Sequence, residues 1–266
     1  MENQTRKFLE DISVTYDEMK KNNKIDKELE ERFLRTIVEI YTMYTSKKEF
    51  SEIIEEYKVR YIYNESKVEE DITPEEQLGI GIVYDYINDF DFKHDYFNIF
   101  TTSLVIHQKL YSKCPGQGFG GSLREATAML FDTNIDVLES KQAQEEFDKY
   151  IPKTEIFMKE LEGLDINSYI EKCIVLTTEL IKLQPFADGN KRTFRSLFNL
   201  LLKKVNLPPV YVDNSQKKEY KNALIKAMKY NEYNDLIRFY YNRIYDAIIQ
   251  LDINNRKMEV FGSKKP

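Results

Sequence analysis

The chain has 266 residues, with 45 acidic and 39 basic side chains, a net charge of −6, and only 9 glycines and 7 prolines. This balance gives no electrostatic ground for binding nucleic acid, and no apolar run approaches the roughly 20 residues that span a membrane. The start, Met1-Glu2-Asn3-Gln4, lacks the features of a signal peptide, and the two cysteines, Cys114 and Cys173, have no disulfide or metal spacing, so the expectation is a cytoplasmic protein with free thiols.

Few helix breakers beside long amphipathic runs predict an all-α protein with one β-hairpin. Along the chain, Phe33, Leu34, Ile37, Val38, Ile40 and Tyr41 fit an amphipathic helix. Residues 1–58 are read as an N-terminal helical extension that caps the body, with an oligomer interface or a partner-binding arm as the other readings. Thr73 before Pro74, with Glu76 three residues after Thr73, is a capping box and predicts a helix start. The alternating run Thr127, Met129, Phe131, with a turn near Asp132-Thr133-Asn134, predicts a surface hairpin between Arg124 and Ser140.

Tyr169, Ile170, Cys173, Ile174, Leu176, Leu180 and Ile181 follow a helical period over Ile166–Leu183, and Pro185 ends that helix. A second helix begins after Gly189, with Phe194, Leu197, Phe198, Leu200, Leu201 and Leu202 on its apolar side. Its N-terminus offers free N–H groups and the positive end of a dipole. Gly189 lets backbone approach a ligand closely, and Asn190 can bond phosphate or cap the helix. Lys191, Arg192 and Arg195 are unfavourable there on dipole grounds alone, so a bound anion would explain them. Asp188 beside them is an oxygen ligand of the kind that suits Mg²⁺ shared with phosphate.

The run Gln184-Pro185-Phe186-Ala187-Asp188-Gly189-Asn190-Lys191-Arg192-Thr193 resembles the HPFx(D/E)GN(G/K)R signature of the Fic/Doc (Fido) family, with Gln184 at the position of the catalytic His. Ile106-His107-Gln108-Lys109-Leu110 and Gly121-Ser122-Leu123-Arg124 upstream resemble the family's approach to its flap. Asn206-Leu207-Pro208-Pro209-Val210, Glu219-Tyr220-Lys221-Asn222-Ala223-Leu224 and the stretch Asn231 to Phe239 resemble the pieces that come after the motif. The resemblance covers about residues 60 to 250. It implies a Fic-fold helical bundle with a hairpin flap and extra N-terminal helices: an extension at 1–58, a Fic domain at 59–255 and a tail at 256–266.

By the resemblance, Asp188 holds Mg²⁺, while Gly189, Asn190, Lys191, Arg192 and Arg195 hold the phosphates of ATP. The flap, with Arg124, Thr127 and Met129, docks a target protein by strand addition. Asn64 to Asp71 resembles the family's inhibitory (S/T)xxxE(G/N) helix, with Glu69 pairing Arg195 against productive γ-phosphate placement. Glu65 stands there in place of Ser or Thr, and Glu70 in place of Gly or Asn.

The activity implied is AMP transfer from ATP to a Ser, Thr or Tyr hydroxyl of a protein. Gln184 has no protonation near neutral pH, so general-base help worth about 10²–10⁴ in rate is missing, although an amide can still orient an acceptor. The other readings are a catalytically inactive nucleotide-binding or protein-interaction pseudoenzyme and, from Lys191, a Doc-like phosphotransferase. Of the two histidines, His107 is read as a core residue and His94 as surface. A homo-oligomer is a further possibility that the sequence leaves open.

Overall fold

A computed structural model describes residues 34, 35, 38, 42, 50–69, 72–116, 120–128, 130 and 135–262, without the side chains of 50–53, 249 and 252–262. Most of the expected N-terminal extension therefore lies outside the described residues. From residue 50 on, the described residues form α1 (Phe50–Val68), α2 (Pro74–Asp89), α3 (Ile99–Leu110), α4 (Ser140–Asp148), α5 (Tyr150–Leu161), α6 (Ile166–Leu183), α7 (Asn190–Lys204), α8 (Lys217–Tyr230) and α9 (Asn234–Gly262), with a 3-10 turn at Asn214–Gln216. The boundary expected at residue 58 falls inside α1, and α9 runs past residue 255.

Helix α7 is the axis of the bundle. Phe194, Leu197, Phe198, Leu200, Leu201 and Leu202 are all buried, and α7 packs against α6, α3 and α2. The charged residues Arg192 and Arg195 are buried on it too, so the apolar period alone understates how much of this helix faces inward. Around it, α1 packs on α2 and α9, and α8 closes against α9 and α6. Ring contacts fill the space where α3, α4 and α7 meet, with Phe147 edge-on to both Phe186 and Phe194.

Local chemistry sets the ends of these elements. The Thr73 hydroxyl accepts from Glu76 N, and the Glu76 carboxylate accepts from Thr73 N, which is the capping box expected at the start of α2. Asn98 caps α3 through Phe100 N and Thr101 N, and Asp165 caps α6 through Ser168 N. Asn231, in the left-handed region at φ 57°, ends α8.

The expected hairpin is not formed by the described residues: between Arg124 and Glu139 they contain no strand. Met129 and residues 131–134, which include the expected turn, lie outside the described residues. Several backbone groups of the described part have other partners. Arg124 N donates to Pro185 O, Gln144 Nε2 donates to Arg124 O, and the buried Arg124 side chain donates to Ala126 O and Leu138 O. The Arg124 side chain thus ties Ala126 and Leu138 together. Thr127 is exposed, and its hydroxyl lies 3.5 Å from a Glu139 oxygen.

Helices α2 and α3 meet at Gly79, where a Cβ would lie 1.8 Å from Leu110 O. No side-chain rotation relieves a clash against backbone. Gly79→Ala is therefore expected to lower unfolding free energy by about 3 kcal/mol, at the upper end of ordinary overpacking costs, measured by urea denaturation.

Candidate functional site: the loop between α6 and α7

The turn from α6 into α7 is built on two left-handed residues. Gln184 ends α6 at φ 50°, and Gly189 precedes α7 at φ 70°. Gly189 is required for space as well, since a Cβ there would sit 2.6 Å from the Tyr111 hydroxyl. No side chain caps α7, so its first N–H groups keep the character of an anion seat.

Between these two residues the loop is braced by polar side chains. Asn190 Oδ1 accepts from Phe186 N at 2.9 Å, and Asn190 Nδ2 donates to Phe186 O at 2.8 Å and to Gln184 Oε1 at 3.1 Å. The Asn190 amide is thus spent on the loop rather than facing a ligand. Gln184 Nε2 donates to Ile181 O at 2.6 Å, so both ends of the Gln184 amide are also engaged within the protein. The Arg124 guanidinium donates to Gln184 O at 2.5 Å from Nε.

Beneath the loop lies His107, buried and stacked on Phe186 at 4.0 Å and 7°. Its Nδ1 accepts from Gly121 N at 2.8 Å, which leaves the proton on Nε2 to donate to Asp188 O at 3.1 Å. Burial pushes its pKa down to about 4. His107 is therefore a neutral structural imidazole, consistent with its reading as a core residue, while His94 is exposed.

The charged residues divide into two clusters. In the first, Arg192 donates to Glu76 Oε1 at 2.9 Å, to the Tyr111 hydroxyl at 2.8 Å and to Asp188 Oδ2 at 3.1 Å, and Tyr111 donates to the same Asp188 oxygen at 2.7 Å. Burial raises the Tyr111 pKa far above its ordinary range, which keeps the phenol a donor. Asp188 is 63% exposed at its side chain.

In the second cluster, Arg195, 3% exposed, meets two carboxylates from the end of α1. Its Nε lies 2.9 Å and its NH2 2.8 Å from Glu65 Oε2, and its NH1 lies 3.1 Å from Glu69 Oε1. Glu69 Oε2 accepts from Lys191 Nζ at 2.7 Å. Burial of Glu69 works to raise its pKa, but Arg195 and Lys191 beside it bring it down to about 2.

The structure thus gathers Gln184, Asp188, Gly189, Asn190, Lys191, Arg192, Arg195 and Glu69 around one loop, with Arg124 behind it. Thr127 hangs on the exposed segment beyond, and Met129 is not among the described residues. Three residues that the sequence does not mark as functional share the site: Glu65, Glu76 and Tyr111. The sequence marks Glu76 as a cap, and it is also the buried partner of Arg192. Glu65 stands out in the sequence only as a departure from a motif, and its partner lies 130 residues away. Tyr111 gives no signal beyond standing next to Leu110.

Among the described residues no group of three or more His, Cys, Asp or Glu side chains gathers to hold a metal ion. Asp188 offers one exposed carboxylate whose charge Arg192 partly offsets. That donor set fits Mg²⁺ brought with phosphate oxygens and does not fit a metal held by protein alone.

A helical bundle built around a helix–loop–helix that collects cations at a free helix N-terminus is what the geometry defines. Residues 100–202 match the model of the Fic/DOC family. The fold is also similar to that of Fic-1 (residues 134–508) from C. elegans, with a TM-score of 0.66 at 16% identity, covering 83% of this chain and 70% of that one. A Fic domain containing signaling protein from Bacteroides thetaiotaomicron is similar with a TM-score of 0.68 at 11% identity, over 83% of this chain and 96% of that one.

The His107 geometry gives a stability prediction. Its folded pKa of about 4 lies below the ordinary 6.5. Its contribution is therefore whole above pH 6.5 and is lost as pH falls toward 4. Urea denaturation across that window should show wild-type stability falling with pH, and His107→Asn should be less stable at neutral pH and lose that part of the slope.

Proposed function

We propose that this chain is a Fic-fold nucleotide-binding protein of the adenylyltransferase kind, with its phosphate seat held by its own Glu69 and its transfer chemistry impaired at Gln184. The observation that carries this reading is the Glu69 carboxylate bridging Lys191 Nζ and Arg195 NH1 beside the free N-terminus of α7. A carboxylate bound between two cations stands in for phosphate oxygens, and a guanidinium accepts either group in the same way. On this reading Gly189, the backbone of Asn190 and Lys191 form the seat. Arg195 becomes reachable when Glu69 leaves, and Asp188 shares Mg²⁺ with the bound phosphates. Bound Mg²⁺ supplies charge neutralisation at the phosphates.

Transfer of AMP joins a target hydroxyl oxygen to the α-phosphorus of ATP, releases pyrophosphate, and requires that the hydroxyl proton be taken. Gln184 has no group to take it. Its amide is also committed to Ile181 O and Asn190, so it is poorly placed even to orient the hydroxyl. Positioning and charge stabilisation supply much of phosphoryl-transfer catalysis, which leaves room for residual turnover. The engaged Gln184 amide favours a second reading, a pseudoenzyme that binds nucleotide or protein without transfer. Lys191 supports a third, phosphate transfer of the Doc kind. The exposed segment around Thr127 is the proposed place for a target protein.

The experiment is incorporation of α-labelled ATP into protein by Glu69→Gly, with Gln184 kept and with Gln184→His. The expected result is label at least 10²-fold stronger after Gln184→His, the lower end of general-base help. Equal label in both variants means that transfer proceeds without a base at this position. Absence of label in both, with ATP binding retained by calorimetry, leaves the pseudoenzyme.

A further inference from the structure

Glu69 is one of two carboxylates on Arg195, and the other is the more deeply set. Glu65 is 5% exposed at its side chain against 18% for Glu69. Its Oε2 lies against both Nε and NH2 of Arg195, and its Oε1 accepts from Val212 N at 3.1 Å. Glu65 belongs to α1 itself, one turn before Glu69, which lies just past the end of that helix. Glu69 has a partly exposed partner in Lys191, which is 41% exposed. Glu65 is tied to buried groups on both oxygens. A movement that withdraws residue 69 from the loop therefore leaves residue 65 in place.

The charges of the Arg195 cluster are few enough to count. Lys191 and Arg195 carry two positive charges, and Glu65 and Glu69 cancel both. With Glu69 withdrawn, the seat that its carboxylate held keeps a net charge of one, because Glu65 still faces the same guanidinium. Removing Glu65 as well would double that charge, with the added charge on the buried Arg195, where screening is weak.

We propose that Glu65 is a standing second clamp that sets the affinity of the phosphate seat: it holds Arg195 by its Nε side, leaves only the NH1 side and Lys191 for a ligand, and so restricts the seat to weak binding of pyrophosphate-bearing ligands even when Glu69 is gone. The inference rests on the phosphate-seat reading of the loop. In this chain Lys191 is the principal cation for a ligand, and Arg195 is chiefly a pivot that joins α7 to α1.

The test is calorimetric titration of pyrophosphate, and separately of ATP with Mg²⁺, into the full chain and four variants: Glu69→Ala, Glu65→Gln, the double variant carrying both, and Glu65→Asp combined with Glu69→Ala. Thermal unfolding checks that each is folded. If the Glu65→Gln double variant does not fold, Glu65→Ser with Glu69→Ala takes its place, since it leaves room for water beside the guanidinium.

Glu65→Gln alone should change little, because Glu69 still fills the seat. Glu69→Ala should bind about tenfold tighter than wild type or less. The double variant should gain at least another tenfold, a coupling that separate sites would not show. Glu65→Asp with Glu69→Ala keeps the charge and should behave like Glu69→Ala. A double variant within twofold of Glu69→Ala overturns the clamp and leaves the phosphate seat standing. So does an equal gain from Glu65→Asp, which would assign the effect to packing rather than charge. Absence of pyrophosphate and ATP binding in every variant overturns the seat itself, and the clamp with it.

Discussion

The site depends on one buried guanidinium. Arg195 sits buried in the second turn of the bundle's axial helix, where an unpaired charge would be costly, and two glutamates from the α1 side make it tolerable. The same contacts fix where α1 lies, because Glu65 also accepts from Val212 N beyond the end of α7. Charge compensation here decides the position of a helix, and that helix in turn places Glu69 over the loop. The ion pairs are weak evidence for stability in themselves. Their value lies in register, since this placement of α1 brings Arg195 both partners at once.

The loop shows a second constraint of the same kind. Gln184 and Gly189 turn the chain through left-handed conformations, and the peptide groups between them have no helix to satisfy them. Asn190 from within, His107 from below and Arg124 from behind supply the partners. Three polar side chains are consumed in making the backbone rigid, which leaves Lys191, the outer part of Asp188 and the α7 N-terminus as the loop's outward chemistry. A loop stiffened in this way keeps its free N–H groups aimed without a ligand to organise them.

Much of this was legible in the sequence, for identifiable reasons. The α6–loop–α7 unit was readable because Pro185 and Gly189 punctuate two clear apolar periods, and the capping box at Thr73 and Glu76 because its partners are three residues apart. Burial of His107 was readable only through the resemblance, which places it on a helix that is structural in the family. The second role of Glu76 was not, since a carboxylate that caps a helix has one oxygen to spare and nothing local says what takes it. Glu65 was hidden for a like reason: its partner lies on another helix, and motif comparison marks it only as a mismatch. The hairpin is not seen among the described residues, and alternation over a few residues does not reveal that a buried arginine will claim the Ala126 and Leu138 carbonyls.

The double duty of Glu76 has a mechanical consequence. One oxygen closes the first turn of α2 on Thr73 N, and the other holds Arg192 at the floor of the loop. On the proposed reading, a ligand that drew Arg192 toward itself would loosen the carboxylate that closes the first turn of α2, so occupancy at the loop would be felt as fraying at the start of another helix. The amide of Thr73 would then serve as a gauge, its rate of exchange with solvent deuterium reading the tension on Arg192.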